Sequence, residues 1–286
     1  MVLEIKKAVD IGFCSGVRRA IDILEPIALK HGGVETLEAV VHNQQVLRRL
    51  AALGIRVVRN VNDIKGDTVV ISSHGVGPKV EEEIRARQIN IIDTTCSFVK
   101  RAQVAARRLA ESGFYTIVYG DNGHPEVRGI LGWADGKGIA TLDVGDIIRL
   151  DELPRRLGVL SQTTQIPARF AEFTKKLIDS ALVKDSELRI IDTICHDIRQ
   201  RQASALKLAR ESELVLVIGG STSANTRHLV ELCSTVTKTY LVEAADEIKP
   251  AWLKGQCRVG VTAGASTDEK TINEVLKRLK ALAKAR

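Results

Sequence analysis

Three cysteines in three similar segments constrain this chain most. Cys14, Cys96 and Cys195 lie in AVDIGFCSGVRRA, INIIDTTCSFVKRA and LRIIDTICHDIRQRQ, separated by 82 and 99 residues. Each follows an apolar stretch predicted to be a strand and directly precedes a predicted amphipathic helix. The pattern predicts three copies of one folding unit, each bringing one thiol to a shared centre.

A polar loop accompanies each cysteine at a fixed distance. His42, His124 and Ser223 each lie 28 residues after one of the cysteines, and each follows an apolar stretch. Any chain of alternating strands and helices contains such loops, so chance spacing is the alternative. We favour a true repeat because cysteine, loop and strand order recur together.

The predicted elements of each unit are helix, strand, helix, two consecutive strands, helix and a fourth strand. Strands that alternate with helices at this spacing favour parallel sheets with right-handed crossovers. The fold class is therefore α/β, a trefoil of three pseudo-equivalent four-stranded parallel-sheet lobes around one central site. The expected lobes are 14–96, 97–195 and 196–286. The third lobe lacks a fourth strand, which residues 1–13 should supply.

The composition fits this fold and narrows the function. Of the 286 residues 44% are hydrophobic and only 3% aromatic, so aliphatic side chains must build the cores, as in covered parallel sheets. There is no apolar run of 18 residues and no signal-peptide core, which gives the expectation of a cytoplasmic protein without a membrane partner. The net charge of +7 is either ordinary surface charge or a preference for an anionic substrate or an acidic electron-transfer partner. Nucleic-acid binding is not favoured, because the basic residues are dispersed and no aromatic platform accompanies them.

The three repeated cysteines point to metal chemistry. Cysteines of a cytoplasmic chain seldom form disulfides, and no two cysteines here have the CxxC spacing of a zinc ribbon or a thioredoxin site. Thiolates from three separate loops suit an iron–sulfur cluster with one open iron. Cys233 and Cys257 fall outside the repeat and are expected to be ordinary cysteines.

Polar loops after the predicted strands suggest an anion site. His42, His74 and His124 lie in VVHN, SSHG and GDNGHPE, while GGSTSANT and TAGAST supply hydroxyls, Asn225 and glycines for close backbone approach. Such donors near helix starts bind phosphate groups. No Walker loop and no GxGxxG is present, so a diphosphate on a small organic body fits better than a nucleotide. Metal binding by the three histidines is the alternative.

Glu126 in HPEVRG is a carboxylate of these loops and lies two residues after His124. It is either a helix-start acid favoured by the helix dipole or a proton donor whose pKa is raised by burial. Thr163 and Thr164 of SQTT are candidates for relaying its proton.

With these motifs in place, the chain resembles the 4-hydroxy-3-methylbut-2-enyl diphosphate reductase family of the methylerythritol phosphate route to isoprenoids. The resemblance runs from GFCSGV to TAGAST, over nearly the whole chain. The motifs that carry it, in order, are GFCSGVRRA, VVHNQQV, SSHGV, DTTC, HPEV, SQTT, DTIC, RQ, SANTRHLVEL and TAGAST.

The resemblance implies a function and a set of site residues. It implies an oxygen-sensitive 4Fe–4S cluster at the centre of the trefoil and reductive dehydroxylation of the substrate at its open iron, giving isopentenyl and dimethylallyl diphosphate. Two electrons would come from ferredoxin or flavodoxin. The implied cluster ligands are Cys14, Cys96 and Cys195, the implied proton donor and relay are Glu126 and Thr163, and the implied diphosphate ligands are His42, His74, His124, Ser223, Asn225 and Ser266.

The chain departs from the family pattern next to two of the cysteines and in one binding loop. Ser97 stands where proline is usual, 196–198 replace a small residue and a threonine with His, Asp and Ile, and Ala224 replaces a serine of some members. Two other functions remain open: a non-redox iron–sulfur or zinc homologue that senses or dehydrates a diphosphate, and a basic RNA-binding protein. A brown colour that is lost in air would exclude the second.

Overall fold

The computed structural model describes residues 3–150, 152, 154–182 and 186–284, and the side chains of residues 181 and 182 are not described. Twelve strands are found in this part of the chain: β1 Glu4–Lys7, β2 Val34–Leu37, β3 Ile55–Val58, β4 Thr68–Ile71, β5 Asn90–Asp93, β6 Tyr115–Tyr119, β7 Gly138–Thr141, β8 Arg156–Ser161, β9 Glu187–Ile190, β10 Leu214–Ile218, β11 Lys238–Val242 and β12 Arg258–Ala263. The helices are α1 Ser15–His31, α2 Gln44–Ala52, α3 Pro78–Ala86, α4 Ser97–Glu111, α5 Pro125–Gly132, α6 Val144–Ile148, α7 Pro167–Leu182, α8 His196–Arg210, α9 Ala224–Ser234, α10 Pro250–Leu253 and α11 Glu269–Lys284.

The strands form three four-stranded sheets in which every ladder is parallel. The first sheet has the order β3-β2-β4-β5, the second β7-β6-β8-β9 and the third β11-β10-β12-β1. All three therefore share one topology, in which the first and third strands of the unit are central. The N-terminal strand β1 holds the place in the third sheet that β5 and β9 hold in the others, with Glu4 to Lys7 paired to Arg258 to Val261.

The predicted helix starts are confirmed, and the predicted strand ends need correction. Helices α1, α4 and α8 each begin at the residue after Cys14, Cys96 and Cys195. The strands before the cysteines stop earlier, at Lys7, Asp93 and Ile190. These strands lie at sheet edges and pair on one side only, so the chain leaves the ladder before it reaches the cysteine.

The expectation that the second strand of each unit leads straight into the third is also incomplete. The second and third strands are parallel, and the first strand of the repeat lies between them in the sheet. The chain must therefore cross over the sheet to connect them. Short helical segments make this crossover: a 3₁₀ turn at Val61–Asp63 for the first sheet, α6 for the second, and a 3₁₀ turn at Ala245–Glu247 followed by α10 for the third.

Aliphatic side chains fill the cores, as the composition predicts. In the third sheet every residue of the central strand β10 is fully buried, whereas the edge strand β9 of the second sheet is largely exposed. Each fully buried Leu, Ile or Val side chain contributes about 1.5–3 kcal/mol through removal of apolar surface from water. The central strands are therefore rigid supports for the loops at their carboxyl ends.

By their contacts the residues group into two compact bodies, called unit 1 and unit 2 below, which are distinct from the three repeats. Unit 1 contains Met1–Arg18, Val41–Leu53 and His196–Arg286, and thus the third sheet together with α2. Unit 2 contains Arg19–Val40 and Gly54–Cys195, and thus the first and second sheets. Among the described helices, none has both the length and the apolar character needed to cross a membrane.

Candidate active site

The polar residues singled out in the sequence lie in loops after the central strands of the three sheets. His74 follows β4, His124 follows β6 and Thr163 follows β8 in unit 2, while Ser223 follows β10 and Ser266 follows β12 in unit 1. In open parallel sheets this edge, where the strand order reverses, is where ligands bind. The fold thus assembles two groups of candidate residues, one within each unit.

The three repeated cysteines share one backbone contact. The N–H of Cys96 donates to the carbonyl of Ser73 at 3.0 Å, that of Cys195 to Thr163 at 2.9 Å, and that of Cys14 to Ala265 at 3.1 Å. Each acceptor lies two residues after the third strand of the same sheet. Every cysteine is therefore fixed beside the loop after its central strand, with a helix starting at the next residue.

The other two cysteines lack this setting. Cys233 is fully buried in α9, and burial raises the pKa of its thiol to about 11. A thiol of this kind is a poor source of a thiolate ligand at neutral pH. Cys257 precedes β12, at the opposite end of the strand from the polar loops.

Glu126 is a buried carboxyl group among the candidate site residues of unit 2. It is the second residue of α5 and only 2% exposed, and its Oε1 accepts a hydrogen bond from the backbone N–H of Thr163 at 2.6 Å. Burial raises the pKa of Glu126 to about 7, although the backbone and side-chain hydrogen bonds from Thr163 act in the opposite direction. The carboxyl is thus poised to carry a proton near neutral pH.

Two histidines accompany Glu126. His124 caps α5, and its Nδ1 accepts from the N–H of Glu126 at 3.2 Å, so the proton of a neutral His124 ring is on Nε2. The rings of His74 and His124 lie 5.2 Å apart, edge to face, and Ser72 Oγ is 3.4 Å from His74 Nδ1. His124, Glu126 and Thr163 are joined by hydrogen bonds, with His74 in ring contact with His124.

Contacts between the first and second sheets hold this group together. Gly77 precedes α3 and Gly132 ends α5, and a Cβ at either glycine would come within about 3 Å of the other backbone. The indole N–H of Trp133 donates to the carbonyl of Val76 at 3.0 Å, and Arg128 forms an ion pair with Glu38 at 2.6 Å. The start of α3 is thereby fixed against α5, which brings the SSHG loop beside His124.

In unit 1 the start of α9 presents buried polar atoms. Ser223 caps the helix, and its Oγ accepts from the N–H of Thr226 at 3.3 Å, which leaves the hydroxyl proton to donate elsewhere. The side-chain amide of Asn225 and the hydroxyl of Ser266 are about 95% buried, and no described residue offers them a hydrogen bond. Leaving such groups unpaired costs about 1–3 kcal/mol each, so a ligand that accepts and donates hydrogen bonds fits here.

His42 belongs to the same unit through a close backbone approach. A Cβ added to Gly220 would lie only 2.3 Å from the carbonyl oxygen of His42. The loop before α2 therefore packs directly against the loop after β10. The repeat is imperfect at this point: Asn43, not His42, caps α2, with Oδ1 accepting from Gln45 and Val46 at 3.0 and 3.3 Å. His42 is therefore one residue further from its helix than His124 and Ser223 are from theirs.

Several buried residues near these loops were not singled out in the sequence. Thr226 in α9 and Thr262 in β12 are fully buried, and their hydroxyls have no partner within the described part of the chain. Arg201 is 4% exposed and donates to the carbonyls of Asp10, Gly12 and Ala263 at 2.8–3.1 Å, so it holds the loop before Cys14. The SANTR and RQRQ motifs contain Thr226 and Arg201, but spacing alone does not reveal which of their side chains are buried.

One departure from the family pattern gains a structural meaning. Oδ2 of Asp197 accepts hydrogen bonds from the N–H and Oγ of Ser15 at 3.2 and 2.6 Å. Ser15 follows Cys14 and starts α1, so Asp197 supplies an acceptor to the first turn of that helix, where backbone N–H groups have no intrahelical partner. The residue that starts helix α1 is thus tied to the first turn of α8.

Fold and site together define an α/β protein with buried hydrogen-bonding loops for a ligand and a protonatable carboxyl among its candidate site residues. A family model described as LytB protein matches residues 5–280, and the chain belongs to this family.

Curated relatives share one name over nearly their whole length. The chain is 60% identical over 273 residues to a protein of Dehalococcoides mccartyi strain CBDB1, with 96% of each chain covered. It is 40% identical to a protein of Geobacter sulfurreducens, with 97% of each chain covered. Both relatives are named 4-hydroxy-3-methylbut-2-enyl diphosphate reductase.

Two solved structures resemble the chain. The first is described as (E)-4-hydroxy-3-methyl-but-2-enyl diphosphate reductase, the terminal enzyme of the non-mevalonate pathway; it is 37% identical with a TM-score of 0.71, covering 98% of this chain and all of that one. The second is described as the E-1-hydroxy-2-methyl-but-2-enyl-4-diphosphate reductase from Plasmodium falciparum. It has a TM-score of 0.89 at 24% identity and covers 98% of this chain and 88% of that one. At this identity the likeness bears on the fold alone.

Proposed function

We propose that this chain is a 4-hydroxy-3-methylbut-2-enyl diphosphate reductase. The reaction adds two electrons and two protons to the substrate, breaks its C–O bond to the hydroxyl, and releases water with isopentenyl or dimethylallyl diphosphate. The observation that carries the proposal is the buried carboxyl of Glu126, with a pKa of about 7 and a fixed contact to Thr163, in a chain 60% identical to a protein of that name.

The cofactor we propose is one 4Fe–4S cluster held by Cys14, Cys96 and Cys195. The donor set fits, because the three cysteines hold one backbone position in three sheets of the same topology, each directly before a helix whose positive end favours a thiolate. When bound, the cluster supplies electrons to the substrate and a Lewis-acidic iron near the bond that breaks.

In this proposal the diphosphate is held by the residues that the family resemblance implies for it, and the contacts within each unit support their role. Within unit 1 the amide of Asn225, the hydroxyls of Ser223 and Ser266 and the ring of His42 offer donors near the start of α9, where the helix dipole also favours an anion. Within unit 2 the Nε2–H of His124 and the ring of His74 offer further donors. Fixing the anionic tail in this way orients the hydroxyl end of the substrate.

Glu126 donates the proton with which the hydroxyl leaves as water. Its burial favours the protonated form near pH 7, and the helix N-terminus and the Thr163 contacts stabilise the carboxylate left after transfer. Thr163, rather than Thr164, is the proposed relay, because its side chain as well as its backbone N–H hydrogen-bonds to Glu126, so its hydroxyl can pass the proton on. A ferredoxin or flavodoxin is the proposed electron donor and the cytoplasm the proposed compartment.

Anaerobic purification followed by iron and sulfide analysis tests the cofactor and the reaction together. We expect about four irons and four sulfides per chain, and turnover of the diphosphate substrate with reduced methyl viologen. Serine at Cys14, Cys96 or Cys195 should remove most of the cluster and the turnover. Serine at Cys233 or Cys257 is the matched control and should leave both intact. A chain that binds the cluster but never reduces the substrate would contradict the proposed reaction and favour a non-redox role.

A further inference from the structure

A basic groove lies on the outer face of α4 in unit 2. Its rim carries Lys100, Arg101, Arg108 and Arg189, and its floor includes the apolar side chains of Val104 and Ile191. The groove encloses about 510 Å³. No acidic residue lines it in the part of the chain that the structure describes.

Two of the four cations have an acidic partner and two do not. Lys100 pairs with Asp93 at 2.5 Å, and Arg189 with Glu187 at 3.7 Å. Arg101 and Arg108 are exposed and form no ion pair with any described residue; Arg101 lies over the ring of Phe98. A net positive field therefore surrounds an apolar centre in which Val104 is 46% exposed.

The groove is close to two of the repeated cysteines along the chain. The N–H of Lys100 donates to the carbonyl of Cys96 at 2.9 Å in the first turn of α4. Val104 is eight residues after Cys96, which at a rise of 1.5 Å per residue places it about 12 Å along the helix axis. On the other side of the groove, Ile191 is four residues before Cys195.

We propose that the basic groove is the docking site for the acidic electron-carrier protein that reduces this enzyme. The inference rests on the proposed function, which requires two electrons from outside the chain in every turnover. Electron-transfer complexes are small and short-lived, and their charged rims act mainly by raising the association rate. A positive rim around a small apolar centre, on the helix that begins directly after the proposed cluster ligand Cys96, suits an acidic ferredoxin. The exposed Val104 and the partly exposed Ile191 favour a protein over a free anion, since an anion gains nothing from apolar contact.

The double variant R101E/R108E tests this docking site. Both side chains are exposed and away from the proposed catalytic and binding groups, so the fold and the chemistry should be preserved. The matched control K277E/K280E makes the same change of net charge on the exposed face of α11. Each protein is assayed anaerobically with a reduced acidic ferredoxin and, separately, with reduced methyl viologen, over a range of salt concentrations.

We expect R101E/R108E to lower kcat/KM for ferredoxin by about tenfold or more at low salt and to flatten its salt dependence. Viologen-driven turnover should stay within about twofold of the parent, and the control should match the parent with both donors. Equal ferredoxin kinetics in R101E/R108E and in the control would overturn the docking site. So would unchanged ferredoxin kinetics combined with loss of inorganic phosphate binding, which would make the groove an anion site.

Failure of the proposed reaction and failure of the docking site give different results. If the parent shows no viologen-driven turnover, the proposed reaction fails, and calorimetric titration of ferredoxin into the parent and R101E/R108E still decides the docking site. If R101E/R108E loses viologen-driven turnover as well, the milder pair R101Q/R108Q replaces it, and unchanged ferredoxin kinetics in that pair would reject the groove.

Discussion

At the start of α5 a carboxyl group with almost no solvent contact is held by the backbone of a neighbouring loop. Glu126 would be an ordinary helix-start acid if it faced water, where the helix dipole lowers a carboxyl pKa. Burial wins here, because removing a charge from water costs more than one helix terminus and two hydrogen bonds return. The resulting pKa of about 7 gives the proton-donor hypothesis its physical basis.

Replacing Glu126 with glutamine should separate binding from chemistry. Glutamine keeps the size and the acceptor for the Thr163 N–H but carries no transferable proton. We expect E126Q to keep its cluster and nearly all of its diphosphate affinity while turnover falls by at least about 10²-fold. In the parent, kcat should decline as the pH rises through about 7, because the proton donor is lost. The measurement is kcat against pH with reduced methyl viologen; turnover of E126Q within a few-fold of the parent would contradict the assignment.

The same shift makes a prediction for stability. The folded state holds the Glu126 proton up to about pH 7, whereas the unfolded chain releases it near 4.5. Folding thus binds a proton in this window, so the free energy of unfolding should fall by about 3 kcal/mol as the pH rises from 4.5 through 7. E126Q should lack this part of the pH dependence in urea titrations.

At the scale of elements, the position of α2 shows where the sequence stops being informative. Spacing predicts that VVHN is equivalent to GDNGHPE and GGSTSANT, and helices α2, α5 and α9 do follow these loops. Spacing does not reveal that α2 groups with the third sheet, because that placement depends on contacts between segments almost 180 residues apart. The close approach of Gly220 to the His42 carbonyl is such a contact.

Alanine at Gly220 should therefore disturb His42 specifically. The new Cβ would be 2.3 Å from the His42 carbonyl, and the backbone of one loop must move. We expect a loss of about 1–3 kcal/mol of stability, typical of overpacking, and weaker binding of the diphosphate. Gly66→Ala is the matched control, because a Cβ there meets its neighbours at no less than 3.7 Å. The measurements are thermal unfolding and calorimetric titration with the substrate; equal affinity in both variants would place His42 outside the pocket.

At the scale of the molecule, repetition explains why so much of the fold is visible in the sequence. One topology recurs in all three sheets, and the regular alternation of apolar strands and amphipathic helices in the sequence predicts it. What the sequence leaves open is set by tertiary contacts: the early end of the edge strands, the helical crossovers such as α6, and the burial of Arg201 and Asn225. Each of these depends on which neighbour covers a segment, and local periodicity carries no information about that neighbour.

The third sheet is the exception that the termini create, since its fourth strand comes from the other end of the chain. β1 pairs along its whole length with β12, and Leu3 and Ile5 join the hydrophobic core of that sheet. Deleting residues 1–7 should expose one side of β12 to water. Loss of the buried Leu3 side chain alone is expected to cost about 2–5 kcal/mol.

This deletion tests whether the N-terminal strand is part of the third folding unit. In hydrogen-exchange experiments β12 and β10 should lose protection, while the central strands β4 and β8 of the other two sheets keep theirs. The control is V9A, because Val9 is 90% exposed and contributes little to any core. Ladder bonds and buried side chains are removed from one sheet only, so the loss should be local. Unchanged protection in β12 would mean that the third sheet is complete with three strands, and that β1 is an appended edge rather than the strand that completes the repeat.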